Sequence, residues 1–141
     1  NLIRSMVGVA LSVPHFINID VELISKDNFD DLLCDVEQNA SVLNNIVIDG
    51  LSYLTLEFTH ISGDKGLNHN LDLILSEFES LKKESMSTLQ CCESKSLDIG
   101  WNSGSNGQLS EIVDPKVLLR AAKLGFAIKI SIYGIDPIGN S

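Results

Sequence analysis

Asp49-Gly50 lies between two apolar, β-prone runs, and this arrangement constrains the fold more than any other feature of the sequence. The runs and the dipeptide together read IVIDGLSYLTLEF, residues 46–58. A two-residue type I′ turn needs a positive φ at both central positions, which Asp-Gly adopts readily. The sequence therefore predicts a β-hairpin over residues 46–58, with its turn at this dipeptide.

The segment before the hairpin changes from a strand pattern to a helix pattern. In FINIDVELI, residues 16–24, apolar and polar side chains alternate, which indicates a strand with one buried face. Apolar residues then recur at helical spacing up to Ala40, and Ser25 or Asp27 can serve as N-cap. Residues 27–40 are therefore predicted to form an amphipathic helix.

A second helix and a short strand follow the hairpin. Residues 69–90 are predicted to be helical, with an inner face formed by Leu71, Ile74, Leu75, Phe78, Leu81 and Leu89. Residues 97–101 alternate as a strand, and Trp101 is predicted to be its last inward side chain.

The last unit has helix signals at both ends. Asp114 is a good N-cap, Pro115 suits the first helical position, and Gly125 suits the left-handed position after the last turn. The alternating run FAIKISIY, residues 126–133, then predicts a final strand.

These elements have the order β-α-β-β-α-β-α-β and predict one α+β domain over residues 1–141. We expect a mostly antiparallel or mixed sheet with helices packed on one face. Residues 1–14, which contain the apolar run MVGVALSV, are predicted to form a peripheral strand or short helix. No apolar run reaches the roughly 18 residues that a membrane-spanning helix needs, so we expect no membrane segment.

The chain is acidic, with a formal net charge of -9. Residues 1–80 hold 13 acids against three bases, whereas residues 81–141 hold six acids against seven bases. Nucleic-acid binding needs clustered Lys and Arg, so this balance argues against it. An acidic half favours association with a basic protein partner instead.

The acids of the first predicted helix are candidates for that contact. Asp27, Asp31 and Asp35 have the spacing i, i+4, i+8, so they would share one helical face. The sequence places no Lys or Arg between positions 27 and 64 to neutralise them. We predict a docking surface for a basic protein, with a solubility surface as the alternative. The predicted docking residues are Asp27, Asp30, Asp31, Asp35 and Glu37.

A small-ligand site is the competing interpretation, in the stretch DIGWNSGSNG at residues 98–107. Its candidate ligand-binding residues are Trp101, Asn102 and Ser103. A phosphate cradle would open directly onto a helix N-terminus, but residues 108–113 intervene before the helix capped by Asp114. A strand that ends in an exposed loop is therefore the expected structure.

Metal and catalytic signals are sparse. His60, Asp64, His69 and Asp72 have ligand chemistry, but their spacing matches no tight motif, and a solvated loop explains them equally well. No nucleophile elbow, phosphate loop or dinucleotide fingerprint is present. We therefore predict no metal site, no cofactor and no enzymatic activity. The three cysteines Cys34, Cys91 and Cys92 are predicted to be reduced thiols in a cytoplasm.

The C-terminal half resembles a bacterial family known as domain of unknown function 4279. The likeness lies in a helix of about 20 residues, then LDIGW at 97–101, VLLxxAxLG at 117–125 and IxIxIY at 128–133. After the first strand the family usually has Ser-Gly-Asp, where this chain has Ser-Lys-Asp at 25–27. The resemblance implies a small cytoplasmic bacterial α+β protein, of a kind that can occur beside secreted toxins as an immunity protein. It supplies no catalytic residues.

Together these features favour an interaction protein: an immunity protein that binds and neutralises a basic, nuclease-type toxin. A regulatory or small-ligand-binding domain is the alternative, and a hydrolase or metal-dependent enzyme comes third. The sequence predicts no oligomeric state.

Overall fold

A five-stranded mixed sheet forms the centre of the structure, a computed structural model that describes residues 13–104 and 107–134. Its strands are β1 (His15–Ser25), β2 (Ala40–Ile48), β3 (Leu51–Phe58), β4 (Ser94–Asn102) and β5 (Ala127–Tyr133). The order across the sheet is β2-β3-β1-β4-β5, so β2 and β5 form its edges. All neighbours are antiparallel except β4 and β5, which are parallel. The predicted mixed sheet is confirmed.

Four helices pack on one face of this sheet: α1 (Asp30–Val36), α2 (Leu67–Glu79), α3 (Lys83–Gln90) and α4 (Pro115–Leu124). Their buried apolar side chains join those of alternate positions in β1, β3 and β4 in one hydrophobic cluster, which includes Leu32, Leu75, Leu89, Val117 and Val21. The intervening strand residues point to the other face, which no described helix covers. We call this second face the open face. The predicted α+β class and helix placement are confirmed.

The first helix is shorter than the sequence predicts. A helix over residues 27–40 is wrong, because α1 spans only Asp30–Val36 and Ala40 already begins β2. Ala40 is paired with Phe58 of β3, so strand pairing between distant residues overrides the helical spacing of the apolar side chains.

The second predicted helix, over residues 69–90, is two helices. The break lies at Ser80–Lys82, where the backbone of Lys82 is extended with ψ 164°. A carboxylate oxygen of Asp35 accepts a hydrogen bond of 3.0 Å from the amide of Lys82, the residue that caps α3. A helix start normally needs such an acceptor, and here it comes from α1 rather than from a neighbouring residue.

Most local predictions are confirmed. The hairpin turn has positive φ at Asp49 (52°) and Gly50 (80°). Asp114 accepts a bond of 3.1 Å from the amide of Lys116, and Gly125 is left-handed with φ 82°. The predicted N-terminal element lies outside the described residues except for positions 13 and 14, which form no helix or strand. Within the described part of the chain, no helix is both long and apolar enough to cross a membrane.

Arg120 links α4 to α2. Its guanidinium donates to Glu79 at 2.7 and 3.0 Å, to the hydroxyl of Ser76 at 3.1 Å, and to the carboxylate of Asp72. Bonds from this guanidinium hold the pKa of Glu79 below its usual range. The forked, charge-assisted geometry is the strongest form of such a contact.

We expect Arg120→Met to lower the free energy of unfolding by about 1 kcal/mol, because two carboxylates lose their counter-charge while the aliphatic packing remains. Urea denaturation at neutral pH measures this. Lys116→Met removes an exposed cation from the first turn of the same helix and serves as the control. Equal effects of the two variants would contradict the role assigned to Arg120.

Candidate functional site

The open face of the sheet carries four carboxylates on three neighbouring strands. They are Asp20 and Glu22 of β1, Glu57 of β3 and Asp98 of β4, and we call them the acidic cluster. In the strand register, Asp20 is paired with Glu57 on one side and with Asp98 on the other. Directly opposed side chains of neighbouring strands lie about 5 Å apart, so like charges there repel each other.

This crowding changes the acidity of the central carboxyl group. Partial burial, followed by the charges of Glu57, Asp98 and Glu22, raises the pKa of Asp20 to about 6. Burial disfavours the charged form of a carboxyl group, and nearby negative charges disfavour it further.

The cluster has some compensation. The ammonium of Lys129 in β5 lies 3.2 Å from Glu22 and 3.6 Å from Asp98, and its bond to Glu22 raises the pKa of this lysine. The side-chain amide of Asn18 donates to Asp20 and Glu57, and the hydroxyl of Ser131 donates to Asp98 at 2.7 Å. Among the described residues, Lys129 is thus the cation that pairs with the acidic cluster, and it contacts two of the four carboxylates, Glu22 and Asp98.

Sequence reasoning missed the acidic cluster because its members come from three separate segments. The alternation in residues 16–24 does place Asp20 and Glu22 on the polar side of β1. Their neighbours Glu57 and Asp98 depend on the register between strands, which no local pattern specifies.

The predicted docking residues lie at α1, on the side of the sheet that the helices cover. Four of them are exposed: Asp27, Asp30, Asp31 and Glu37. The predicted stripe along one helical face is wrong for Asp27, which lies in the loop before the helix. The docking role of these residues stays a prediction.

Asp35 differs from the other four. Its side chain is only 11% exposed and lies 3.9 Å from the ammonium of Lys82. A bond from the hydroxyl of Ser85 and one from the backbone of Lys82 hold the pKa of Asp35 below its usual range. Lys82 follows α2 in sequence, so the cation that neutralises Asp35 comes from outside residues 27–64, and no local pattern predicts this pair.

Trp101, Asn102 and Ser103 border one cavity of about 200 Å³ at the end of β4. The predicted inward direction of Trp101 is confirmed, because the side chain is 4% exposed and packs edge-on against Phe16, with ring centroids 5.6 Å apart. An adjoining apolar cavity of about 170 Å³ shares Trp101 and runs beneath β5. The three residues are thus brought together beside these two cavities, whereas their ligand-binding role stays a prediction.

Three of the four residues with ligand chemistry near α2 have other contacts. The carboxylate of Asp64 accepts a bond from Ser62, that of Asp72 is paired with Arg120, and the ring of His60 lies 5.7 Å from that of Phe58. Residues 13–104 and 107–134 contain no group of three or more His, Cys, Asp or Glu side chains that could hold a metal ion. The cysteines are free thiols, and burial raises the pKa of Cys92 to about 11.

We expect Asp20→Asn to stabilise the protein at pH 7 but not at pH 4. The pKa of Asp20 rises from its ordinary 3.8 to about 6 on folding, so ionisation of this group costs stability. The cost is absent below pH 4, grows as the pH rises towards 6, and is fully present above it. Solvent screening of a partly exposed carboxylate reduces the expected gain to about 1 kcal/mol.

Chemical denaturation at the two pH values measures the gain. Asp49→Asn, in the hairpin turn, removes one negative charge outside the acidic cluster and is the matched control. A gain at pH 7 no larger than that of the control would contradict the repulsion described above.

No protein-family model matches the chain, and no similar protein was found among curated sequences or solved structures. The likeness of the C-terminal half to the bacterial family therefore stays a prediction from its residues. A function has to be argued from the chemistry of the surfaces described above.

Proposed function

We propose that this chain is a protein-interaction module that binds a basic protein through an acidic surface, as an immunity protein that neutralises a nuclease-type toxin would. The acidic cluster is the observation that carries the proposal. The strand register opposes Asp20 to Glu57 and Asp98, and burial together with the repulsion from these neighbouring carboxylates raises the pKa of Asp20 to about 6. Cations supplied by a partner would replace this repulsion with attraction.

The spacing of the cluster suits arginine. Side chains directly opposed on adjacent strands are about 5 Å apart, and a guanidinium presents several donors in one plane. One arginine can therefore bond to Asp20 and Glu57 together, in the register that pairs these two residues. Nuclease toxins expose such cations because their substrate is a polyanion, and an acidic inhibitor can cover the same surface.

The α1 residues offer a second acidic surface on the other side of the sheet. Asp27, Asp30, Asp31 and Glu37 are exposed there. Asp30 and Asp31 lie in the first turn of α1, where the helix dipole already stabilises acids, so repulsion between these two is weaker evidence for a partner. We place the main contact on the acidic cluster, and variants at the two surfaces distinguish them.

A cytoplasmic location is part of the proposal. The three cysteines are free thiols, which is the usual state in a reducing compartment. An inhibitor of a nuclease would be needed there, where the nucleic acids of the producing cell are found.

We expect the product of the gene directly upstream to bind this chain with a Kd in the nanomolar range, which weakens at least tenfold between about 50 and 300 mM salt. Calorimetry with the purified pair measures the affinity, and restored nuclease activity measures loss of neutralisation. Glu57→Gln should weaken binding at least tenfold, since it removes a carboxylate that would be covered by the partner.

Asp31→Asn removes one charge at the α1 surface and is the comparison. If Asp31→Asn loses binding while Glu57→Gln keeps the wild-type affinity, the partner contacts the α1 surface instead of the acidic cluster. Binding that does not respond to salt, or no neutralisation by the chain, would contradict the proposal as a whole.

The cavity beside Trp101, Asn102 and Ser103 supports a second candidate function, a regulatory domain that binds a small ligand. The adjoining apolar cavity of about 170 Å³ is large enough for a ring of benzene size. Ile132 of β5 borders both cavities.

We expect such a ligand to change the fluorescence of Trp101 in a saturable way, because this is the one tryptophan in the sequence and it borders both cavities. Titration with a panel of aromatic and aliphatic metabolites tests this. Ile132→Glu places a charge at the border of both cavities and should abolish the fluorescence change. Ile112→Glu changes an exposed loop residue and should preserve the fluorescence change. A panel without any saturable response would contradict this second function.

A further inference from the structure

Strand β2 is an edge of the sheet, and its nine residues, ASVLNNIVI, include no charged residue and no proline. Eight consecutive positions, residues 41–48, are exposed. Among the described strands only β3 pairs with β2, so no described strand takes up the backbone donors and acceptors on the outer edge of β2. Such an edge is a template for pairing with another strand.

Both sides of β2 are apolar. Val42 and Val47 are in register with Leu56 and Ser52, which are buried on the helix side of β3. The residues on the open face include Ile46 and Ile48, and Leu43 lies at a register irregularity. All five apolar residues are at least two-fifths exposed, and Val47 reaches 70%. An uncharged strand with apolar residues exposed on both sides marks an interaction surface in a folded protein.

The other edge of the sheet, β5, also exposes apolar residues such as Ile130 and Ile132, but it carries a lysine, which β2 lacks. β5 carries Lys129, whose ammonium is held by Glu22 and Asp98. A lysine in an edge strand discourages further pairing, because a second strand would have to bury it. In β2 the one protective feature is the irregularity between Val42 and Asn44, which leaves residues 44–48 regular.

We propose that β2 is a dimer interface, in which β2 of a second copy of this chain pairs antiparallel across a two-fold axis and joins two sheets into one of ten strands. This inference goes beyond the proposed function and does not rest on it. The pairing is closed, because each copy contributes the same edge once.

Charge restricts where two copies of this chain could meet, and it disfavours a basic partner at β2. The chain carries a formal net charge of -9, so two copies repel each other over most of their surfaces. At β2 no charged side chain of either copy would lie in the paired strand. A basic partner, in contrast, would gain no electrostatic attraction from this edge.

The side-chain chemistry is also self-complementary. Valine, leucine and isoleucine of one copy would meet the same residue types of the other, and such cross-strand pairs stabilise a sheet. The amides of Asn44 and Asn45 both donate and accept hydrogen bonds, so each can bond to its counterpart near the axis.

Sedimentation of the full chain from about 1 to about 500 µM tests the proposal. We expect a monomer–dimer equilibrium with a Kd in the micromolar range or tighter, weakened at least tenfold by Val47→Lys. Ile112→Lys introduces the same charge at a loop residue that is 80% exposed and should leave the equilibrium unchanged. Circular dichroism verifies that both variants are folded.

Disulfide trapping tests the geometry. Single cysteines replace residues 44 to 47 one at a time, in a background with Cys34→Ser, Cys91→Ser and Cys92→Ala. At the axis a residue faces its own copy, whereas one position away the two Cα atoms are about 8 Å apart, beyond the reach of a disulfide. We expect a single position to cross-link efficiently.

Three results would overturn the proposal. One is a wild-type chain that stays monomeric at the highest concentration. This result contradicts the proposal both when hydrogen exchange of the β2 amides is fast and when residues of the same chain protect these amides. Another is a dimer that Val47→Lys and Ile112→Lys weaken equally. The third is cross-linking of similar efficiency at all four positions, which indicates random collision.

Discussion

The pairing of β1 with β3 on one side and with β4 on the other determines both the core and the acidic cluster. The register that places Val21 beside Leu56 and Leu97 in the hydrophobic core also places Asp20 between Glu57 and Asp98 on the open face. A slip by one residue would exchange the two faces of β1 and expose its apolar side chains. The register that packs the core therefore also brings these carboxylates together. Their repulsion can be removed by substituting one of the carboxylates, but not by changing the strand register.

Features decided within a few residues could be predicted from the sequence. The turn at Asp49-Gly50 and the helix from Asp114 to Gly125 depend on local backbone stereochemistry, and both were predicted correctly. The extent of α1 and the break between α2 and α3 were not. They depend on the pairing of Ala40 with Phe58 and on the bond from the amide of Lys82 to Asp35, which join residues far apart in the chain.

The same distinction applies to the candidate sites. Parity along one strand was sufficient to predict that Trp101 points into the core, and the structure places it there. The acids of α1 could be predicted as one group, because helical spacing can be read from a sequence. The cluster around Asp20 was not visible, since strand register brings its members together. Charge composition could indicate a basic partner but could not indicate which face of the sheet meets it.

The two proposed surfaces use different physical forces, and this keeps them independent. In a two-fold antiparallel pairing the axis is perpendicular to the sheet, so a dimer through β2 would present both acidic clusters on the same side. Salt screens charge, so it would weaken partner binding at the cluster, whereas an uncharged apolar edge would pair equally well or better at high ionic strength. Ionic strength therefore separates the two equilibria. A partner that bound both clusters of one dimer would gain affinity from the raised effective concentration of the second site, without any new contact.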